Sequence, residues 1–445
     1  MSHQPPHHPP IHPARYPARG GNRLALHVGE LTFFRALELA SAEARGRVWM
    51  AVNFLHPEFR LPSGRSLWQW LEDMAGRGLD VRVLFWRNPA FSDSPRIFHG
   101  SPEHLEQLRA RPGGWHARWD SSIRPGHCHH QKTWLIDAGL PGERAYVGGI
   151  VKTRTDLRLR ARDGRPGHRH DVTLEVTGPA AADVADNFIE RWNHARQTIA
   201  GPSPGDALSP TPPAGPAGGA RVQALRTVAP GLYPSAPAGE QDILRAYRAA
   251  FDAARETIYL ENQHPGELSL LLALRDALCR GVRVLMVVPA EPMPAIFQEK
   301  ARADALKPGE GPTRYSPVFE ALADLGDQPG FTLAALRRPG VGEVYCHAKL
   351  AVVDGAWLTA GSANLVDLSM APDHTELNLA VWDAGFARGS LRTLLAGHLD
   401  RPPTGAEPAD WLRDAAAVAR VNRERPPAPL DGALYALDPV TYPVS

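Results

Sequence analysis

The chain has 445 residues, and 49 Lys and Arg face 48 Asp and Glu, a formal net charge of +1. That balance argues against a protein whose main work is clamping a polyanion, because nucleic-acid grips leave a basic excess. Hydrophobic residues make up 43% of the chain, enough to exclude wholesale disorder, and at roughly 150 residues per domain the length suggests two or three domains.

The 43 Pro and 40 Gly exceed ordinary usage and point to many loops. Cys128, Cys279 and Cys346 cannot build a disulfide framework. No apolar run reaches the 18 or so residues of a membrane span. The opening residues lack the basic and apolar regions of a signal peptide, so the expectation is a cytoplasmic protein, peripheral to a membrane at most, and a monomer.

In chain order, residues 1–20 are rich in Pro and His and are expected to form a disordered tail. Residues 21–200 read as a first globular lobe. In it Arg47–Val52 is a short apolar strand and Val81–Phe85 a second one. Between them a helix is predicted over 66–77, because Leu67, Trp70, Leu71 and Met74 recur at helical spacing and Ser66 with Gln69 forms a capping box. Residues 201–220, GPSPGDALSPTPPAGPAGGA, suit neither helix nor sheet and are taken as a linker. Residues 221–425 repeat the order: strand Thr257–Leu260, helix Leu268–Arg280, Gly281, strand Val282–Val288. Residues 426–445 are a C-terminal extension. Strand, helix, Gly, strand is a βαβ unit, so the expected fold is α/β, built from two duplicated lobes, each with a parallel pair and a right-handed crossover.

The chemistry lies in a repeated segment. The first copy runs His130-Gln131-Lys132-Thr133-Trp134-Leu135-Ile136-Asp137 and the second His347-Ala348-Lys349-Leu350-Ala351-Val352-Val353-Asp354; both are H-x-K-x4-D. A glycine turn follows each, Gly148-Gly149 in one and Gly361-Ser362-Ala363-Asn364 in the other. On an extended strand residues i and i+2 share a face, so each His stands beside its Lys. Lysine neutralises phosphate, and histidine can attack phosphorus or pass a proton to a departing oxygen. Two copies supply both histidines of a double displacement, with no metal or other cofactor required. Asp137 and Asp354 close the strands and suit a structural role as well as a catalytic one.

Paired H-x-K-x4-D segments with G-S-x-N in the second copy resemble the phospholipase D superfamily. The resemblance extends to His170-Asp171-Val172, Gly178-Pro179 and Phe188–Asn193 in the first half, and to Ile258–Gln263 and His374–Asn378 in the second. It implies two phospholipase D-like lobes, each a mixed β-sheet flanked by helices, related by a pseudo-twofold axis and sharing one active site. It implies His130 as nucleophile and His347 as general acid/base. Lys132, Lys349, Ser362 and Asn364 would bind the substrate phosphate. Asp171 and Glu376 would orient the opposite lobe's histidine, and Gly148, Gly149, Gly361, Asp137 and Asp354 would shape the motifs. One departure is Val151, where the pattern calls for Asn or Asp.

The cluster His127, Cys128, His129 and His130, with His168 and His170 beyond, could suggest zinc, but a spaced partner pair is missing and neighbouring residues point to opposite faces. The resemblance leaves the alcohol open. Near-neutral charge speaks against nucleic acid, and the apolar Glu291–Phe297 loop could touch a bilayer surface. The expected substrate is therefore a glycerophospholipid, hydrolysed or transferred through a phosphohistidine to water or an alcohol acceptor. A cardiolipin synthase-type phosphatidyltransferase is the alternative, and a nuclease of the same superfamily the more distant one.

Overall fold

The computed structural model describes residues 8–53, 59–87, 114–124, 127–150, 168–198, 207–291, 301–303, 305, 313, 315–424 and 431–442. Val151 and residues 292–297 of the apolar loop lie outside them.

The first lobe contains strands β1 (Arg19–Val28), β2 (Arg47–Val52), β3 (Asp80–Trp86), β4 (His116–Asp120), β5 (Thr133–Ile136), β6 (Arg144–Gly148), β7 (His168–His170) and β8 (Val172–Thr177). Its helices are α1 (Glu30–Glu43), α2 (Leu67–Gly76) and α3 (Ala181–Thr198). Its sheet runs β4-β3-β2-β5-β6-β8-β1, with β2, β3 and β4 parallel and the remaining pairings antiparallel.

The second lobe contains β9 (Ala220–Val228), β10 (Thr257–Asn262), β11 (Arg283–Val287), β12 (Phe331–Arg338), β13 (Gly342–Cys346), β14 (Lys349–Val353), β15 (Trp357–Gly361), β16 (Glu376–Trp382) and β17 (Leu434–Ala436). The helices are α4 (Asp242–Ala253), α5 (Leu268–Cys279), α6 (Ser316–Gly326), α7 (Asp367–Met370), α8 (Ala384–Leu399) and α9 (Pro408–Arg423). Its sheet, β12-β11-β10-β14-β15-β16-β9, repeats the first strand for strand with the same directions. The lobes are thus duplicated mixed sheets, and both βαβ units are parallel pairs.

Strand alternation builds the layers. Val48, Met50 and Val52 turn outward to Phe33, Leu37 and Leu71 of α1 and α2, while Trp49 and Ala51 turn inward to Phe188 and Trp192 of α3. The inner faces of both sheets, with α3, α8 and α9, form one shared core. Phe33, fully buried among Phe34, Trp134 and Tyr146, contributes about 1.5–3 kcal/mol on burial. The capping box holds: Gln69 N donates to Ser66 Oγ at 3.1 Å and Ser66 N to Gln69 Oε1 at 2.9 Å.

Among the described residues two strand pairings, besides the isolated bridge between His129 and Thr375, tie lobe to lobe. The edge strands β1 and β9 meet at Arg19↔Val222 and Asn22↔Ala220, and β7 of the first lobe lies parallel to β13 of the second.

The N-terminal segment differs from expectation. Residues 1–7 lie outside the described residues, but from Pro9 on the chain is held down rather than free. Trp382 Nε1 donates to Pro9 O at 2.8 Å, and Gln223 Nε2 donates to His12 O at 3.1 Å and Tyr16 O at 2.9 Å. Tyr16 is 5% exposed and its hydroxyl donates to Asp186 of α3 at 3.0 Å. The backbone carbonyls of Pro9, His12 and Tyr16 and one buried aromatic supply the anchors that the composition hides. The C-terminal extension likewise is integral, since β17 pairs with β12. Residues 207–219 have no helix or strand, yet Ala217 and Gly218 donate to Gly21 O.

Candidate active site

Each histidine lies just ahead of its strand, outside the strand ladder, where it faces the other lobe. Asp137 and Asp354 fix these strands. Both adopt left-handed backbone, φ 54° and 52°, and both carboxylates accept three consecutive backbone amides: Arg45, Gly46 and Arg47 for Asp137, and Arg255, Glu256 and Thr257 for Asp354. Their place is at the far end of the strand from the histidine, so the motif's Asp is an anchor.

The imidazoles are held by carboxylates from opposite lobes. His130 Nδ1 lies 3.0 Å and 3.1 Å from the two oxygens of Glu376, and His347 Nδ1 lies 2.7 Å from Asp171 Oδ2. Backbone pairs repeat the exchange: His130 N donates to Thr375 O at 2.9 Å and His347 N to His170 O at 2.8 Å. A carboxylate on Nδ1 leaves Nε2 as the working nitrogen and stabilises the imidazolium. Lys132 Nζ donates to His130 O at 2.6 Å, and Lys349 Nζ to His347 O and to Gln263 Oε1 at 3.0 Å.

Burial dominates the electrostatics. It lowers the Lys132 ammonium to about 8 against the opposing pull of Glu376, and the Lys349 ammonium to about 7 against that of Asp171. It lowers His130 against Glu376, and it lowers His347 well below the usual range, helped by the cations Arg169, Lys349, Lys132 and His130. That His347 responds to His130 and both lysines places the two motifs in one electrostatic site. Burial lifts Asp171 to about 6 despite Lys349 and Arg169, whereas Glu376, which burial would also lift, is held low by His130 and Lys132.

The glycines are explained by close approach. A Cβ on Gly149 would stand 2.3 Å from Asp171 Oδ1, and one on Gly361 2.3 Å from both Leu377 O and Asn378 Oδ1; on Gly148 it would meet Thr173 Oγ1 and Val172 O at 2.5 Å.

Ser362 is engaged within the site: its buried hydroxyl donates to Glu376 Oε2 at 2.5 Å and accepts Leu377 N at 3.1 Å. Ser369 donates to Glu376 Oε1 at 2.6 Å, a role that an ordinary serine on a short helix gave no hint of. Asn364 presents a buried Oδ1 without a partner among the described residues; rotating the amide brings N–H to the same place.

The side chains of the His127–His130 run take separate partners. His129 turns to Asp120 at 2.9 Å and Thr375 Oγ1 at 2.8 Å, His130 to Glu376, and Cys128 N donates to His374 Nδ1 at 3.1 Å. Cys128 and Cys346 are both buried free thiols. Among the described residues, the group that could offer three metal-ligand atoms is His170, Glu261 and His398, within 4.8 Å of one another. The sequence reading missed this group, because Glu261 and His398 lie far apart in the chain. No helix among the described residues is long and apolar enough to cross a membrane.

The family model described as "Cardiolipin synthase, PLD-like domain" matches residues 247–392, the heart of the second lobe. The second lobe thus carries a phospholipase D-like domain, and the chain as a whole is similar to phospholipase D-type lipid enzymes. It is 26% identical over 397 residues to cardiolipin synthase B of Salmonella typhi, covering 85% of this chain and 81% of that one. It is 24% identical over 407 residues to the cardiolipin synthase of Listeria welshimeri, covering 90% and 74%. The crystal structure of phosphatidylserine synthase from Haemophilus influenzae Rd KW20 has the same fold, with TM-score 0.52 and 13% identity over 84% of this chain and 87% of that one.

Proposed function

We propose that this phospholipase D-type enzyme cleaves the phosphodiester of a glycerophospholipid and passes the phosphatidyl group to water or an alcohol. The reading rests on one observation above all: His130 and His347 are held by carboxylates exchanged between the lobes, Glu376 and Asp171, beside two buried lysines.

The steps follow from the geometry. Lys132 and Lys349 neutralise the diester anion, and the Asn364 amide donates to a phosphate oxygen. His130 Nε2 attacks phosphorus while His347, as imidazolium, protonates the departing alcohol; the P–O bond breaks as the N–P bond forms. Neutral His347 then takes the proton of the acceptor, whose oxygen displaces His130. Glu376 stabilises the His130 cation in the intermediate. His130 takes the nucleophile's part because its partner Glu376 is held ionised beside His130 and Lys132, whereas burial lifts Asp171 toward its neutral form.

Similarity to the cardiolipin synthases of Salmonella typhi and Listeria welshimeri favours an alcohol over water as acceptor, and with it the second reading, a cardiolipin synthase-type phosphatidyl transfer. The test is a phosphatidylglycerol vesicle assay in EDTA, with and without added phosphatidylethanolamine and free glycerol. Release of glycerol together with cardiolipin supports transfer, and release with phosphatidic acid supports hydrolysis. No lipid product, with cleavage of single-stranded DNA instead, overturns the proposal.

A further inference from the structure

We propose that Glu261 and His170 form a buried ion pair that acts as a positioning device for Asp171, and through it for His347. Glu261, on β10, has no exposed surface. Its Oε2 lies 2.7 Å from His170 Nε2; its Oε1 lies 2.7 Å from His398 Nε2 and accepts the Tyr259 hydroxyl at 2.6 Å. His170 ends β7. Its carbonyl accepts His347 N–H at 2.8 Å, and the next residue, Asp171, holds His347 Nδ1 at 2.7 Å. Glu261 is therefore linked by one imidazole to the segment that carries both contacts of the second histidine.

The spacing indicates protons rather than a metal between these groups. Tetrahedral ligands on bonds of about 2.0–2.1 Å stand roughly 3.3 Å apart, whereas each imidazole here sits at hydrogen-bond distance from its own carboxylate oxygen. The rings meet edge-on, with centroids 4.9 Å apart.

The two halves of the site show why such a device is needed on one side. Glu376 receives two hydroxyls, from Ser362 and Ser369. At the position matching Ser362 the first lobe has Gly149, and among the described residues Asp171 accepts only Val172 N–H beside its histidine. Strand register makes Ala51 the counterpart of Glu261 and Thr375 that of His170, so the cation is particular to this half. His170 as imidazolium supplies charge where hydroxyls are missing. Burial works against that cation, but Glu261 and Asp171 outweigh it and raise His170.

The charged groups around the pair come from several elements. His170 is faced by Glu261 on β10, His398 on α8 and Arg338 on β12. Asp171 is faced by Lys349 on β14, by Arg169 on β7 and by His347. Tyr259 and the Cys346 thiol also face Glu261. Among these, Glu261 is the anion that holds His170 charged. Without it His170 becomes neutral, Asp171 loses a cationic neighbour, and its carboxylate stays protonated to higher pH.

The activity arm of the test rests on the phosphodiesterase reading; a second arm does not. Nitrogen NMR of ring-labelled histidine, assigned with His170→Asn, is expected to show His170 as an imidazolium through neutral pH in the wild type and as a neutral ring in Glu261→Gln. With phosphatidylglycerol vesicles, the acid limb of kcat/KM should move up by about one pH unit in Glu261→Gln, the size of effect that a close charge exerts, and likewise in His170→Gln. His398→Gln, which disturbs the same cluster but leaves the ion pair, should lower Tm without moving the limb. A neutral His170 in the wild type overturns the proposal. So does a Glu261→Gln variant whose rate falls equally at every pH, or stoichiometric zinc that this variant loses. If the wild type turns over no lipid, the functional reading fails, and the NMR arm still decides the ion pair.

Discussion

Adding a single methyl group at Gly149 tests how tightly the second histidine is held. The Cβ of Gly149→Ala would lie 2.3 Å from Asp171 Oδ1 and 2.9 Å from its Cγ and Oδ2. An ordinary carbon–oxygen contact is about 3.3 Å, so the carboxylate must retreat by about 1 Å. The Asp171–His347 distance of 2.7 Å then opens to about 3.7 Å, beyond a hydrogen bond. A displacement of about 1 Å costs on the order of 10²-fold, or about 2.7 kcal/mol of barrier. The assay is kcat on phosphatidylglycerol vesicles, with Tm measured alongside. Gly215→Ala is the control, since its Cβ meets nothing within 4 Å. If Gly149→Ala keeps wild-type kcat while remaining folded, the claim that Asp171 orients His347 is wrong.

Other outcomes follow from the same geometry. Replacing His130 by Ala should lower kcat by at least the 10²–10⁴-fold usual for acid–base groups, and a phosphatidyl adduct should be trapped on His130 in the wild type and not in this variant. Asp137→Ala strips the charged acceptor from three amides and should cost about 2–4 kcal/mol in denaturant unfolding, with kcat per folded molecule changed far less than in His130→Ala. Asp171 must be ionised to hold His347, and burial lifts it to about 6; kcat/KM should therefore fall as pH drops through about 6. The lysines lose charge as pH rises, Lys349 near 7 and Lys132 near 8, so the profile of the free enzyme should be bell-shaped and its alkaline limb should appear chiefly in KM. Ser362→Ala removes a donor from Glu376 and should lower kcat by roughly tenfold while KM holds, in keeping with about 1.5 kcal/mol for a hydrogen bond to a charged group.

The features legible in the sequence are the local ones. Capping at Ser66, the two βαβ units and the H-x-K spacing each depend on residues a few positions apart, and β2, β3, β10 and β11 stand where the apolar runs place them. What escaped is fixed by pairings across hundreds of residues. Nothing near Ser362 distinguishes a phosphate ligand from a donor to Glu376, because Glu376 returns to it only through the β15–β16 register. The anchoring of residues 9–16 depends on Trp382 and Gln223 of the other lobe. In a Pro/His-rich stretch Tyr16 was the one signal, a large ring with no reason to stay in water. The His170–Glu261–His398 cluster joins three distant segments, and no spacing rule reaches it.

The crossing of carboxylates between lobes has an evolutionary reading. In a symmetric pair of identical subunits any substitution strikes both half-sites at once, so an attacking base and a proton donor must be the same residue in the same surroundings. Joined in one polypeptide, the copies are released from that bond. Here one has kept serine hydroxyls around a glutamate and the other a bare glycine beside an aspartate. Within one polypeptide the two copies can divide their labour and still share a single site.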